Sequence, residues 1–334
     1  MDNKLISDKE KYVEYCSKNT DIPIFYKNWW LDAVCGDNNW SAIISENNND
    51  IQAVHPIYLG KSKVFRKNIY QPPLTPYSGT WINYPQNQIK STTRLAYEKR
   101  VVNDVISKIK KRNMHYFNQN FHYNFSNWLP YYWNGFDQTT HYTYIIKDLS
   151  NLELVYDNFD NKLRTDIRKA EKNVLVKRNL DINIVYDLVS KTFDRQNQTP
   201  RFNRDFLKRL DDVCIKNNCR EIFYAIDDNE NIHGCLYLIW DCNSAYYLFS
   251  GSDPKYRNSQ ALSLLVWEAI KFSANVTGKF DFEGSMIEGV EGFFRSFGAT
   301  QQSCFKIKYE RNKFLGLFLK SFINSTIIKI VKGQ

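Results

Sequence analysis

The feature that most constrains this chain lies between residues 219 and 283. Two strand-like runs, 219–227 and 232–241, flank Asp228-Asn229-Glu230-Asn231, four residues suited to a turn. A third run, 244–250, follows almost at once. Then come a glycine-containing loop, a helical segment at 261–277 and a strand at 279–283. A meander followed by loop, helix and strand admits few topologies. The helix has to cross over and lay the last strand parallel to a neighbour, which predicts a mixed, mostly antiparallel α+β sheet flanked by helices.

Upstream, the same order recurs more faintly. A helix at 24–35 carries Trp29, Trp30, Leu31 and Val34 on one stripe, and strands follow at 40–45 and 51–58. Pro72, Pro73 and Pro76 demand an ordered loop over 71–80, because each ring removes a donor and fixes φ. A helix at 93–112 ends in lysines and an arginine, as the dipole favours, and strands are predicted at 115–119 and 140–149. After residue 149 the pattern resets, with helices at 151–159 and 162–172, short strands at 175–178 and 181–185, and a helix at 202–217. A helix at 293–297, closed by Gly298, and another at 312–332 complete the reading. Length and the repeated order divide the chain into two similar α+β halves, 1–150 and 151–334, with the aromatic stretch 128–133 expected at their interface.

Composition excludes several classes. With 43% hydrophobic and 24% charged residues, the chain lies outside the disordered range. The seven cysteines form no CxxC pair and no zinc-like spacing, so reduced thiols and no metal are expected. The beginning, Met1-Asp2-Asn3-Lys4, leads into a charged segment and not a signal-like apolar run, and no stretch approaches a membrane span. The expectation is a cytoplasmic protein. Its net charge of +9 is spread over both halves, without the basic arm of a DNA binder. The basic, amphipathic 312–332 segment either packs back on the first half or makes peripheral contact with the inner membrane.

Chemistry concentrates in two places. Ser250, Gly251 and the run Arg257-Asn258-Ser259-Gln260-Ala261 join a strand to a helix, so amides at a helix start beside an arginine form either an anion cradle or an ordinary turn capped by Ser259. Farther on, Glu283 ends a strand before Gly284 and Ser285. A carboxylate there is a candidate general base, with Tyr247 a candidate acid, or else a buried structural group. Acceptor binding is expected of Trp133 and Gln138, in or near the aromatic stretch, of Arg195 in a loop between helices, and of Ser285.

The segment Arg257-Asn258-Ser259-Gln260-Ala261, after a strand and small-residue turn, resembles the acyl-CoA pyrophosphate loop of GNAT acyltransferases. With Trp29-Trp30-Leu31, Gln71-Pro72-Pro73, Asn127-Trp128-Leu129-Pro130, Arg164-Thr165-Asp166-Ile167-Arg168 and 280–285, the chain resembles the Fem-like branch. That resemblance implies two tandem GNAT-like domains and N-acyl or aminoacyl transfer to an amine in cell-envelope or surface-glycan biosynthesis. The donor would be an acyl-CoA or an aminoacyl-tRNA, and the acceptor a small, glycan or peptide amine. Gln260 and Leu262 stand where the GNAT pattern has glycines, which hinders approach of a pyrophosphate and leaves a non-catalytic binding protein as a rival reading.

Overall fold

The computed structural model describes residues 2–48, 50–60, 68–85, 90–195, 197–200 and 202–311. The expected helix at 312–332 lies outside them. The first half contains α1 (Asp2–Lys18), a 3-10 turn (Ile24–Tyr26), α2 (Asn28–Cys35), β1 (Trp40–Asn47), β2 (Asp50–Tyr58), β3 (Trp81–Ile82), α3 (Ser91–Lys111), β4 (Tyr116–Asn120), α4 (Leu129–Trp133) and β5 (Asp137–Ile146). The second contains α5 (Leu152–Asp157), α6 (Asn161–Glu171), β6 (Leu175–Arg178), α7 (Ile182–Arg195), α8 (Arg204–Lys216), β7 (Arg220–Ile226), β8 (Ile232–Trp240), β9 (Ala245–Ser252), a 3-10 turn (Pro254–Ser259), α9 (Ala261–Ser273), β10 (Phe280–Asp281), α10 (Glu288–Arg295) and β11 (Thr300–Glu310).

The crossover read from the sequence is present. β7, β8 and β9 form the antiparallel meander, α9 crosses, and β10 lies parallel to β9. The first half repeats the device, since parallel bridges join Ile69 to Phe117 and Ser78 to Phe121 on either side of α3. The sheets do not divide at residue 150. β1, β2 and β3 form a small sheet, whereas an eight-stranded sheet of order β4-β11-β5-β10-β9-β8-β7-β6 runs across the link between β5 and α5. β11, which the sequence reading left unassigned, returns to pair with both β4 and β5.

The strands of the second half read as near-continuous apolar runs because both faces are covered. On β8, Cys235, Tyr237 and Ile239 point into one core while Leu236 and Leu238 point into the other. The first core is filled by α7 and α8 together with Tyr12, Phe25 and Trp30 of the first half, so the halves share it. The second is closed by α6, α9 and α10, and a third, in the first half, lies under α3.

The stretch 128–133 meets the second half through β11, where the Trp128 ring lies 6.4 Å from Phe305 and Tyr131 shares a core with Ile307, and the halves also meet around α2 and the turn before it. Arg209 donates to the Ala33 carbonyl at 2.8 Å, the Ile24 amide donates to Asp241 at 2.7 Å, and the Phe25 and Tyr246 rings lie 4.8 Å apart. The predicted strand at 181–185 is the first turn of α7, and Arg195 is the last residue of that helix, not a loop residue.

Candidate functional site

The site lies where two paired strands part. β9 and β10 pair only at Ala245–Phe280 and Tyr246–Asp281, after which β9 continues to Ser252 while the other chain turns away. A register shift in β9 between its pairs with Tyr237 and Leu238 leaves Leu248 as the extra residue of a bulge, a device that bends a strand and ends pairing. The turn out of β10 is made by Glu283 and Gly284, at φ +58° and +66°. Glycine is required at 284: a Cβ there would lie 1.9 Å from the Tyr142 carbonyl oxygen on β5.

Asp281 organises this turn. Its carboxylate is fully buried and accepts three hydrogen bonds: the Tyr77 hydroxyl at 3.0 Å, the Thr143 hydroxyl, and the Glu283 amide at 2.8 Å. Burial pushes its pKa up to about 6, against the lowering effect of those donors. Tyr77 comes from the proline-rich loop of the first half, so both halves build the site.

Glu283 differs from Asp281 in having no such clamp. Its Oε1 is enclosed and has no hydrogen-bond partner among the described residues, although the residue as a whole is only half-buried. Burial, reinforced by the neighbouring Asp281 charge, raises its pKa well above the ordinary carboxylate value. A buried oxygen without a partner costs free energy that folding alone does not recover, and such groups cluster where chemistry is done. Tyr247 lies close enough for Glu283 to act on its pKa; burial keeps the phenol protonated, and it donates to Ser250. Ser285 accepts from the Ile287 amide at 3.0 Å and shapes the following turn.

The loop after β9 is held rigidly. Gly251 lies against α7, where a Cβ would sit 2.5 Å from the Val189 nitrogen. Thr192 accepts from the Ser252 amide at 2.9 Å, and Lys191 bridges to Asp253 at 2.6 Å. His233 and Tyr256 stack 4.3 Å apart and fix the 3-10 turn. Arg257 and Asn258 are exposed, Ser259 and Ala261 buried. The residue preceding α9 is Gln260, not Ser259; it adopts φ +61°, the conformation a glycine takes without strain, and its side chain makes no capping bond. Ser259 instead donates to the Tyr256 carbonyl at 2.7 Å.

The predicted site residues thus separate into groups. Glu283, Tyr247, Ser250 and Ser285 surround the parting strands, with Gly251 and residues 257–261 on the adjoining loop. Arg195 is exposed at the end of α7, three residues after Thr192, and makes no hydrogen bond or ion pair with the loop's side chains among the described residues. Gln138 is near the start of β5, bonded to Thr140 at 2.7 Å and roughly 13 Å along the strand from Tyr142. Trp133 is exposed on α4, beside Lys99. Neither of these two joins the site. Tyr77, Thr143 and Asp281 were not named from sequence as a site. Only the Asp281–Glu283 spacing signalled any part of it.

Among the described residues no group of His, Cys, Asp and Glu is arranged to hold a metal ion, and no helix is long and apolar enough to cross a membrane. Residues 157–290 match the profile of the acetyltransferase (GNAT) domain. The sequence matches no curated protein. In fold, the chain is similar to FemX over 93% of its own length and 98% of that structure, at 12% identity and a TM-score of 0.63. It is similar also to L-PGS from Bacillus licheniformis over 93% and 94%, at 12% identity and a TM-score of 0.55. A third likeness is to the C-terminal domain of a putative lysylphosphatidylglycerol synthetase from Agrobacterium fabrum, over 91% and 92%, at 11% identity and a TM-score of 0.54. At these identities the likeness establishes a shared fold.

Proposed function

We infer that this chain, a GNAT acyltransferase by its 157–290 domain within a Fem-like fold, moves an acyl or aminoacyl group from an activated donor to an amine of a cell-envelope precursor. The observation that carries the reading is the enclosed, unpartnered Oε1 of Glu283 at the point where β9 and β10 part.

Acyl transfer to an amine needs a group that takes the ammonium proton, donors for the developing oxyanion, and a proton for the leaving group. Glu283, which burial makes a stronger proton acceptor than an ordinary carboxylate, is suited to the first task. On the side where β10 has turned away, β9 beyond Tyr246 has no paired strand among the described residues, and its backbone is available to the oxyanion. The protonated Tyr247 phenol, bonded to Ser250, is placed for the third task.

The donor loop supports an anionic donor, since it carries Lys255 and Arg257 exposed. Two donors fit that charge. The FemX and lysylphosphatidylglycerol synthetase names favour an aminoacyl carrier, and so does the side chain of Gln260 in a glycine-like conformation, which obstructs a close-lying CoA pyrophosphate. Acetyl-CoA and aminoacyl-tRNA titrated at two salt concentrations distinguish them. A CoA donor binds weakly, binds better in Gln260→Gly and loses about 1.5–3 kcal/mol in Arg257→Ala. A tRNA-borne donor shows a steep salt dependence and ignores Gln260→Gly. In either case Glu283→Gln lowers turnover by ~10²-fold or more. Full activity in that variant removes Glu283 from catalysis, and binding of neither donor supports a non-catalytic scaffold.

A further inference from the structure

The shortest helix of the first half turns an apolar face outward. In α4, Leu129, Tyr132 and Trp133 stand at i, i+3 and i+4 and so share one side, where they are 48%, 59% and 55% exposed. Pro130 and Tyr131 are buried on the other. Tyr131 is the anchor: its hydroxyl bonds to Thr80 at 2.8 Å, and its ring packs edge-on to Phe121 and Phe136. The outward residues are therefore not what holds the helix in place.

The neighbouring face of α3 extends the patch. Leu95, 55% exposed, lies one turn before Lys99, whose ammonium sits 4.9 Å above the Trp133 ring. At the same end of α4, Lys110 reaches Asn134, the residue after Trp133, at 3.2 Å. Apolar surface residues are ordinarily scattered singly, and a cluster of this kind marks an interaction surface. The combination narrows the partner. Tryptophan and tyrosine have an apolar body and a polar edge, the character that places them at the headgroup level of a bilayer. Lysine stems lie along apolar surface while their ammonium groups reach anionic phosphates. A symmetric dimer through this face would gather four lysines, Lys99 and Lys110 from each copy, at one interface, an arrangement that like charge opposes.

We propose that α4 and the adjoining face of α3 form a docking surface for an anionic lipid bilayer. The inference is independent of the acyl-transfer reading. Docking would keep that site close to the membrane all the same, because β5 runs from α4 to Tyr142, beside Gly284.

Flotation of the full chain with vesicles of equal parts phosphatidylcholine and phosphatidylglycerol tests it, with pure phosphatidylcholine vesicles alongside. The expected result is co-flotation with the anionic vesicles, weaker with the neutral ones and declining with salt. Replacing Tyr132 and Trp133 together by serine should lower the bound fraction about tenfold, with an unchanged far-UV spectrum because both side chains are exposed. Lys99→Glu, which leaves the rings in place, should lower binding to anionic vesicles only. The proposal is overturned by absence of vesicle binding, by binding that both variants retain, or by binding lost only when the chain is ended at residue 311. It is overturned equally by a concentration-dependent dimer that the serine substitutions abolish.

Discussion

Asp281 is fully buried and Glu283, two residues on, is half-buried with its Oε1 enclosed, and the structure treats their carboxylates differently. Asp281 is satisfied by three donors, Glu283 by none at Oε1, so the first positions and the second is left to react. Their raised pKa values make stability depend on pH in a defined direction. A carboxyl whose folded pKa lies above its unfolded value contributes stability at low pH that is lost as pH rises through the folded pKa. For Asp281 the window runs from its ordinary value of 3.8 up to about 6, a loss of about 3 kcal/mol on the scale of 1.36 kcal/mol per pK unit. Urea unfolding at the two ends of that window measures it, and Asp281→Asn should flatten the slope. Glu283→Gln should melt at the same temperature as the parent in acid, where both side chains are neutral and nearly isosteric. As pH rises and the parent takes on a buried charge, the variant should melt progressively higher than the parent. Tyr77→Phe removes one donor to Asp281. The expected outcome is a fall in kcat with donor KM unchanged and a shifted pH profile, because Asp281 then holds the Glu283 backbone less firmly. A lower melting temperature with unchanged kinetics would make Tyr77 purely structural. Glu283 was legible as a carboxylate ending a strand. The Tyr77–Asp281 bond was not, because it joins positions 204 residues apart and no local pattern encodes it.

At the scale of elements, the turn after β10 and the turn before α9 show opposite uses of positive φ. Gly284 is dictated by contact, since the Tyr142 carbonyl and Thr143 Cα leave no room for a Cβ. Gly284→Ala should cost about 3 kcal/mol or more through strain and backbone displacement, read as a lower denaturation midpoint. Gln260 has a comparable φ but already carries a side chain, so strain relief in Gln260→Gly is offset by the entropy glycine loses on folding. Stability should change by less than about 0.5 kcal/mol, which makes this variant a clean probe of donor binding. Most elements were legible where one period dominated: the helix at 93–112 corresponds to α3, and the three meander strands fall within about two residues of their predicted limits. The exceptions have local causes. Asp181-Ile182-Asn183-Ile184-Val185 alternates polar and apolar residues like a strand, and only the later spacing of Val185, Leu188 and Val189 reveals the helix. β11 buries only Cys304 and Ile307 fully while carrying Gln301, Lys306 and Lys308, so its strand signal is weak even though it lies inside a sheet.

For the whole molecule, β11 has the largest consequence. The helix–strand order was legible as two similar halves, but the order of strands in a sheet is a long-range property, and here the last described strand is inserted between two strands of the first half. β4 reaches the large sheet only through β11, and the core that holds α7 and α8 also holds Phe25 and Trp30. Neither half can therefore bury its apolar surface alone. Unfolding in urea should proceed as one transition, with tryptophan fluorescence and far-UV circular dichroism coinciding despite a length that usually allows intermediates. A fragment of residues 1–150 should be insoluble or lack a cooperative transition, and so should a chain ended at residue 299, because either leaves β4 and β5 without the strand between them and exposes open edges. Two separated transitions, or a soluble 1–150 fragment that melts cooperatively, would mean that the sheet crossing the middle of the chain adds little. The halves would then be independent domains that happen to align. A single transition lost on removal of β11 would instead make the parting of β9 and β10, and with it Glu283, a property that the two halves stabilise jointly.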